Sequence, residues 1–167
     1  MKSKKISFYI KPRKDIYGET GYENILKAFS RLNPSTKEGE LGAGASGLMP
    51  ELDMFVKSVA PLIVAGFLGA IGGDIYDLIK KGIMKIVDVK PIRKSVVLPE
   101  NFKGEIYSHL VFWIYFKDYR LLIELDLKSK DEVKRALDSL PAAVNKVIKN
   151  GKDFSRLIWN GSNWNAY

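Results

Sequence analysis

The 167-residue chain has no cysteine and only one histidine, His109. The first absence excludes disulfides, thiolate nucleophiles and cysteine-ligated zinc or iron–sulfur centres. The second removes any histidine cluster, and no H-x-x-x-H, E-x-x-H, D-x-D or GK[ST] string is present. Metal-assisted and phosphoryl-transfer chemistry therefore lack their usual sequence signals, and no catalytic residue, metal or cofactor is expected. Arginine is scarce as well: 6 Arg stand against 21 Lys in a chain of net charge +8. Basic charge favours phosphate-rich or anionic-lipid partners. Dedicated nucleic-acid readers, however, lean on arginine for bidentate contacts. The lysines are spread from Lys2, Lys4 and Lys5 through Lys80, Lys81, Lys85, Lys90 and Lys94 to Lys128, Lys130 and Lys134. A solvated basic surface is the expectation.

Apolar content of 46% and charged content of 28% are globular values, and the length suits one α+β domain over residues 1–167. The start, MKSKK followed by ISFYI, is too short and too polar-flanked for a secretory apolar core. A cytoplasmic, bacterial setting is expected, with a peripheral membrane contact as the alternative.

Ile6, Phe8 and Ile10 alternate with polar neighbours as in a strand that Pro12 stops. Thr20 and Glu23 form a capping-box pattern ahead of helically spaced Tyr22, Ile25, Leu26, Phe29 and Leu32, and Asn33-Pro34 closes that helix. The loop that follows holds Gly42-Ala43-Gly44-Ala45-Ser46-Gly47, the letters of a dinucleotide fingerprint. It lacks the preceding strand and the acid about twenty residues on, so a hinge is expected there.

Between Glu51 and Val87 the sequence predicts a long kinked helix or a helical hairpin. Leu52, Phe55, Val56 and Val59 mark its first apolar side, Pro61 and Gly72-Gly73 are its soft points, and Ile75, Leu78, Ile79, Ile83 and Ile86 mark its last piece. Inside it, Ser58–Gly73 contains no charged residue. Ala65, Gly69 and Gly73 recur every four residues with Gly66 and Ala70 alongside, a pattern that permits close helix–helix approach. Sixteen residues at about 1.5 Å each fall short of a roughly 30 Å hydrocarbon core, so spanning is disfavoured. Burial against the protein's own sheet or against another subunit is the preferred use, with Lys80 and Lys81 as flanking charges.

The second half changes period. Ser95–Leu98 is a short strand candidate. Residues 105–116 and 119–128 form a long hairpin turning at Lys117-Asp118, with Leu110, Phe112 and Ile114 opposite Leu125, Ile123 and Leu121 on the core face. Tyr107, His109, Val111, Trp113 and Tyr115 then face Lys128, Asp126, Glu124, Leu122 and Arg120. Aromatics beside cations on a sheet can stack bases; cover by a helix or another subunit is the preferred reading. In this register His109 meets Asp126 as a cross-strand pair. Ser129 and Glu132 cap a core-packed helix interrupted by Pro141 and ended by Gly151, and RLIWNGSNWNAY is a terminal hairpin about Asn160-Gly161 or Gly161-Ser162.

The order of a strand, a short helix, the GAGASG loop, the helix PLIVAGFLGAIGGDIYDLIKKGI and then strands and a helix resembles small accessory domains of bacterial conflict and defence systems. The likeness covers mainly residues 39–90. It implies a non-catalytic adaptor that joins a sensor to an effector, and it carries over no functional residue.

The sequence thus points to an α+β fold: an antiparallel sheet built on the 105–128 hairpin, with helices including the kinked 50–88 region packed on it. The expected function is a non-enzymatic module that self-associates or docks a protein through Ala65, Gly66, Gly69, Ala70 and Gly73. The alternatives are a membrane-active protein inserting 58–73 and a nucleic-acid binder using Tyr107, His109, Trp113, Tyr115 and Arg120. Enzymatic activity is the least favoured.

Overall fold

A computed structural model describes residues 6–34, 51–93 and 98–167. Six strands, β1 Ile6–Pro12, β2 Leu52–Ser58, β3 His109–Tyr115, β4 Arg120–Asp126, β5 Phe154–Trp159 and β6 Trp164–Ala166, lie in sequence order in one open sheet. The described helices are α1 Lys14–Ala28, α2 Leu62–Ile71, α3 Gly73–Ile86 and α4 Lys130–Val147. The fold is α+β as expected, but the sheet is mixed rather than antiparallel. β2/β3 and β4/β5 pair parallel, while the other three neighbours pair antiparallel. Parallel neighbours need a crossover, which the α2–α3 pair and α4 supply.

Strand alternation then fixes which side chains face the helices. Phe8, Val56, Ile114 and Leu121 lie in one row across the sheet, and Ile10, Met54, Phe112, Ile123 and Leu157 in the next. All of these belong to one buried cluster with Ile79, Ile83, Leu137, Leu140 and Val144 of the helices. Phe55, Val111 and Leu122 point the other way and are buried outside that cluster. The hairpin has the expected register, including His109 opposite Asp126, but its strands are shorter than the expected 105–116 and 119–128: they run His109–Tyr115 and Arg120–Asp126, and residues 105–108 lie in no strand.

The predicted helix over the first part of 50–88 is instead strand β2. Leu52, Phe55 and Val56 suit helical spacing, but Leu52, Met54 and Val56 also alternate, and the structure uses that period. β2 is an interior strand flanked by β1 and β3, with Phe55 buried on its second face, so its apolar residues run almost continuously. Such a run has no single period to read. What remains helical is divided twice: Gly66 breaks α2 with φ 72°, and α2 and α3 meet at Gly72, φ 95°, with a 58° bend. Pro61 does not kink a helix; it immediately precedes α2.

Elsewhere α1 begins at Lys14, ahead of the Thr20 capping box, and breaks at Gly18, φ 72°. It is followed by a 3-10 turn at Ser30–Leu32 that ends on left-handed Asn33. Helix α4 starts on Ser129, whose hydroxyl accepts from the Glu132 N–H, and a 3-10 turn at Ile148–Asn150 leads into left-handed Gly151. Contrary to expectation, α4 runs unbroken through Pro141. The terminal hairpin closes over Asn160–Asn163, where Asn160 Oδ1 accepts from the Ser162 and Asn163 N–H groups. The GAGASG hinge and residues 95–97 of the 95–98 strand candidate lie outside the described residues; Leu98 is not in a strand.

Candidate functional site

Helix α2 contains no charged residue and splits its side chains between core and solvent. Leu62, Phe67, Ala70 and Ile71 turn inward. On the outer side Ile63 is 52% exposed, Val64 87% and Leu68 43%, with Val59 just before the helix at 59%. Ala65 and Gly69 lie on the same outer side, and a Cβ placed at Gly69 would meet only that of Ala65, at 3.4 Å. Ala65 and Gly69 thus add little side-chain bulk beside the exposed Val64 and Leu68.

Distant residues hold this short helix in place. Asp118, from the β3–β4 turn, accepts from the Leu62 N–H at 2.7 Å and the Ile63 N–H at 3.3 Å. Where Gly66 interrupts the helix, Asn145 of α4 accepts from the Phe67 N–H at 3.0 Å. At the far end the Ser58 hydroxyl donates to the Ala70 carbonyl at 2.8 Å. Helix termini and breaks leave backbone groups unpaired, and these side chains satisfy them. The apolar outer face is thereby presented in a fixed position.

The second feature is the sheet face opposite the helices. Across it one row runs Lys57, Tyr115, Arg120 and Phe154; the next runs Tyr9, Phe55, Trp113, Leu122 and Arg156. Trp113 and Tyr115 stack with ring centres 6.2 Å apart, and the Arg120 guanidinium lies 6.0 Å from the Phe154 ring. At the other end of the face, Lys128 Nζ sits 5.0 Å above the Tyr107 ring.

Acidic groups gather around His109 at that same end. Its Nδ1 is 2.7 Å from Asp126 Oδ1, its Nε2 is 3.3 Å from Glu124 Oε1, and its backbone N–H donates to Glu51 Oε2 at 2.9 Å. Glu51 and Glu124 are buried, and Glu124 also accepts a short hydrogen bond from Arg156 Nε. Burial alone would lower the His109 pKa; the hydrogen bonds and charges of Asp126 and then Glu124 outweigh it and raise the value above that of a free imidazole. Asp53, on the same face, is pushed up to about 6 by burial, against the pull of Lys11, His109 and Arg13. A carboxylate lies at each ring nitrogen, and both favour the charged form of the imidazole.

The residues singled out from sequence are therefore dispersed. Ala65 and Gly69 share the outer face of α2, but Ala70 is buried in the core, Gly66 sits half-buried at the break, and Gly73 opens α3 beyond the bend. Lys80 pairs with Asp138 at 2.6 Å. Lys81 is exposed beside a cleft of about 150 Å³ that Lys27, Arg31 and Lys85 also line. His109, Trp113, Tyr115 and Arg120 do share the outer sheet face, whereas Tyr107 precedes β3 and lies in no strand. Sequence reasoning missed Ile63, Val64 and Leu68 as the projecting part of α2 and Lys57 as a neighbour of Tyr115. It also missed Asp118 and Asn145 as caps. Alternation within β2 would have found Lys57, but no local signal links Leu62 to Asp118, 56 positions away.

No protein-family model matches the chain, and neither the curated proteins nor the solved structures contain a match to it.

Proposed function

We propose that this protein is a non-enzymatic interaction module that self-associates through the outer face of α2. The observation that carries this reading is the exposure of Ile63, Val64 and Leu68 around Ala65 and Gly69 on a helix without charge. A contiguous apolar surface of this kind marks an interaction site. In a two-fold pair each Val64 would pack against the small Ala65 and Gly69 of the other copy. Because Asp118, Asn145 and Ser58 already hold α2, binding would not have to order it. The sequence resemblance to adaptor domains of bacterial defence systems points the same way.

A peripheral membrane contact is the second reading, supported by the same exposed side chains. No helix among the described residues is long and apolar enough to cross a membrane, and α2 with α3 is bent by 58°. Such a contact would be a shallow insertion of α2 into the interface.

The test is light scattering coupled to size exclusion on the wild type and on Val64→Asp. We expect a defined oligomer that the variant reduces to monomer, with circular dichroism and thermal midpoint unchanged because Val64 makes little use of the core. A wild type that stays monomeric at every concentration sinks self-association. Flotation with anionic vesicles that is abolished by Val64→Asp would transfer the same face to the membrane reading.

A further inference from the structure

The outer face of the sheet carries a separate signal, independent of α2. Tyr115 pairs directly with Lys57 on one side and Arg120 on the other, so a cation, an aromatic ring and a second cation lie in one row across three strands. Neighbouring strands are about 4.8 Å apart, which puts the backbones of the two cationic residues roughly 10 Å from each other. Both are exposed, and neither has an ion-pair partner among the described residues. Trp113 stacks on Tyr115 from the next row and extends the aromatic surface. The face also carries acids, but Glu124 and Asp126 are engaged by His109, and Glu124 by Arg156 as well. Asp53 sits two rows from Tyr115, level with Glu124. The end of the face around Tyr115 therefore holds uncompensated positive charge beside stacked rings.

We infer that the Lys57–Tyr115–Arg120 row, with Trp113, binds a short stretch of single-stranded nucleic acid. Its chemistry suits that ligand: a flat base can lie against the rings while the adjoining phosphates reach the flanking cations. Every base has a π-face, so binding would be tolerant of sequence. A duplex hides its bases and would use the cations alone. An acidic peptide would likewise meet the cations but leave the rings unused.

The experiment is fluorescence anisotropy with a labelled oligo(dT) and a labelled oligo(rU) at low salt. A duplex of equal length and polyglutamate serve as competitors. We expect both single strands to bind and to outcompete duplex and polyglutamate. Lys57→Ala combined with Arg120→Ala should weaken binding about tenfold or more and flatten the log–log salt dependence by about 1.4, the loss of two single-strand phosphate contacts. Tyr115→Ala should weaken binding by about tenfold with an unchanged salt slope, because it removes stacking rather than charge. Absence of oligonucleotide binding by the wild type overturns the inference. So does equal competition by polyglutamate, or an affinity indifferent to the Lys57/Arg120 pair. Those two residues are exposed, so their variants test the row even if Tyr115→Ala fails to fold.

Discussion

The Tyr76 hydroxyl on α3 donates a 2.5 Å hydrogen bond to the Leu137 carbonyl of α4. Leu137 lies four residues before Pro141, and proline has no N–H to return to it. Tyr76 is thus the substitute donor that lets α4 pass through a proline. Buried Tyr76 also packs edge-on against Phe67, ring centres 5.2 Å apart, and so joins α2, α3 and α4 at one point.

Tyr76→Phe should destabilise the protein by about 1–2 kcal/mol, because a buried carbonyl loses its donor. Pro141→Ala supplies the missing N–H, so the same tyrosine change should cost clearly less in that background. Urea unfolding of the four members of this cycle measures the difference. Equal losses in both backgrounds would show that the two residues are not coupled.

Two glycines in neighbouring helices should respond oppositely to alanine. At Gly82 an added Cβ would come within 2.2 Å of the buried Phe29 ring, which is itself packed against Phe8. The helix-propensity gain of about 1 kcal/mol does not offset such overpacking, and a net loss of about 1–3 kcal/mol is expected. At Gly69 the added methyl meets only Ala65, so up to about 1 kcal/mol of stability should be gained. Thermal midpoints of the two variants decide this, and a shift of the same sign in both would refute it.

The outer-face ionisable groups set a pH dependence. The folded pKa of His109 is raised, so its stabilisation is complete below about 6.5 and is lost as pH rises through the folded value. Asp53 is raised to about 6 from 3.8, so its favourable contribution is complete below 3.8 and gone above about 6. His109 therefore makes the fold weaker at pH 8 than at pH 6, and Asp53 makes it weaker at pH 7 than at pH 4. Asp15, lowered chiefly by its hydrogen bond with Arg13, and Asp138, lowered chiefly by that with Lys134, contribute only in the opposite sense and in the acid range. Asp53→Asn should therefore raise the thermal midpoint at pH 7–8 and lose that advantage near pH 4. His109, the single histidine, gives one imidazole signal in a proton NMR titration. That signal should titrate above the ordinary histidine value and move down in Asp126→Ala.

Local patterns determined much of this architecture. Alternation in 105–128 specified the hairpin and its register down to the His109–Asp126 pair, because shifting a strand by one residue would turn every core side chain outward. The Ser129–Glu132 cap, the end at Gly151 and the Asn160 turn were equally local, since each rests on hydrogen bonds or dihedrals within a few residues.

Tertiary structure decided the rest. Leu52–Ser58 became a strand because β1 and β3 flank it, and Phe55 is buried on its second face beside exposed Lys57, which blurs the period a sequence displays. α4 continued through Pro141 because a hydroxyl 61 positions away replaced the missing donor. The small-residue stripe divided at Gly66 and Gly72 because Asp118, Asn145 and Ser58 satisfy the helix ends and the break. Ala65 and Gly69 were thereby turned to solvent and Ala70 to the core. Sequence spacing ranks residues along one helix, but only contacts between distant segments determine where that helix stops and which side it shows.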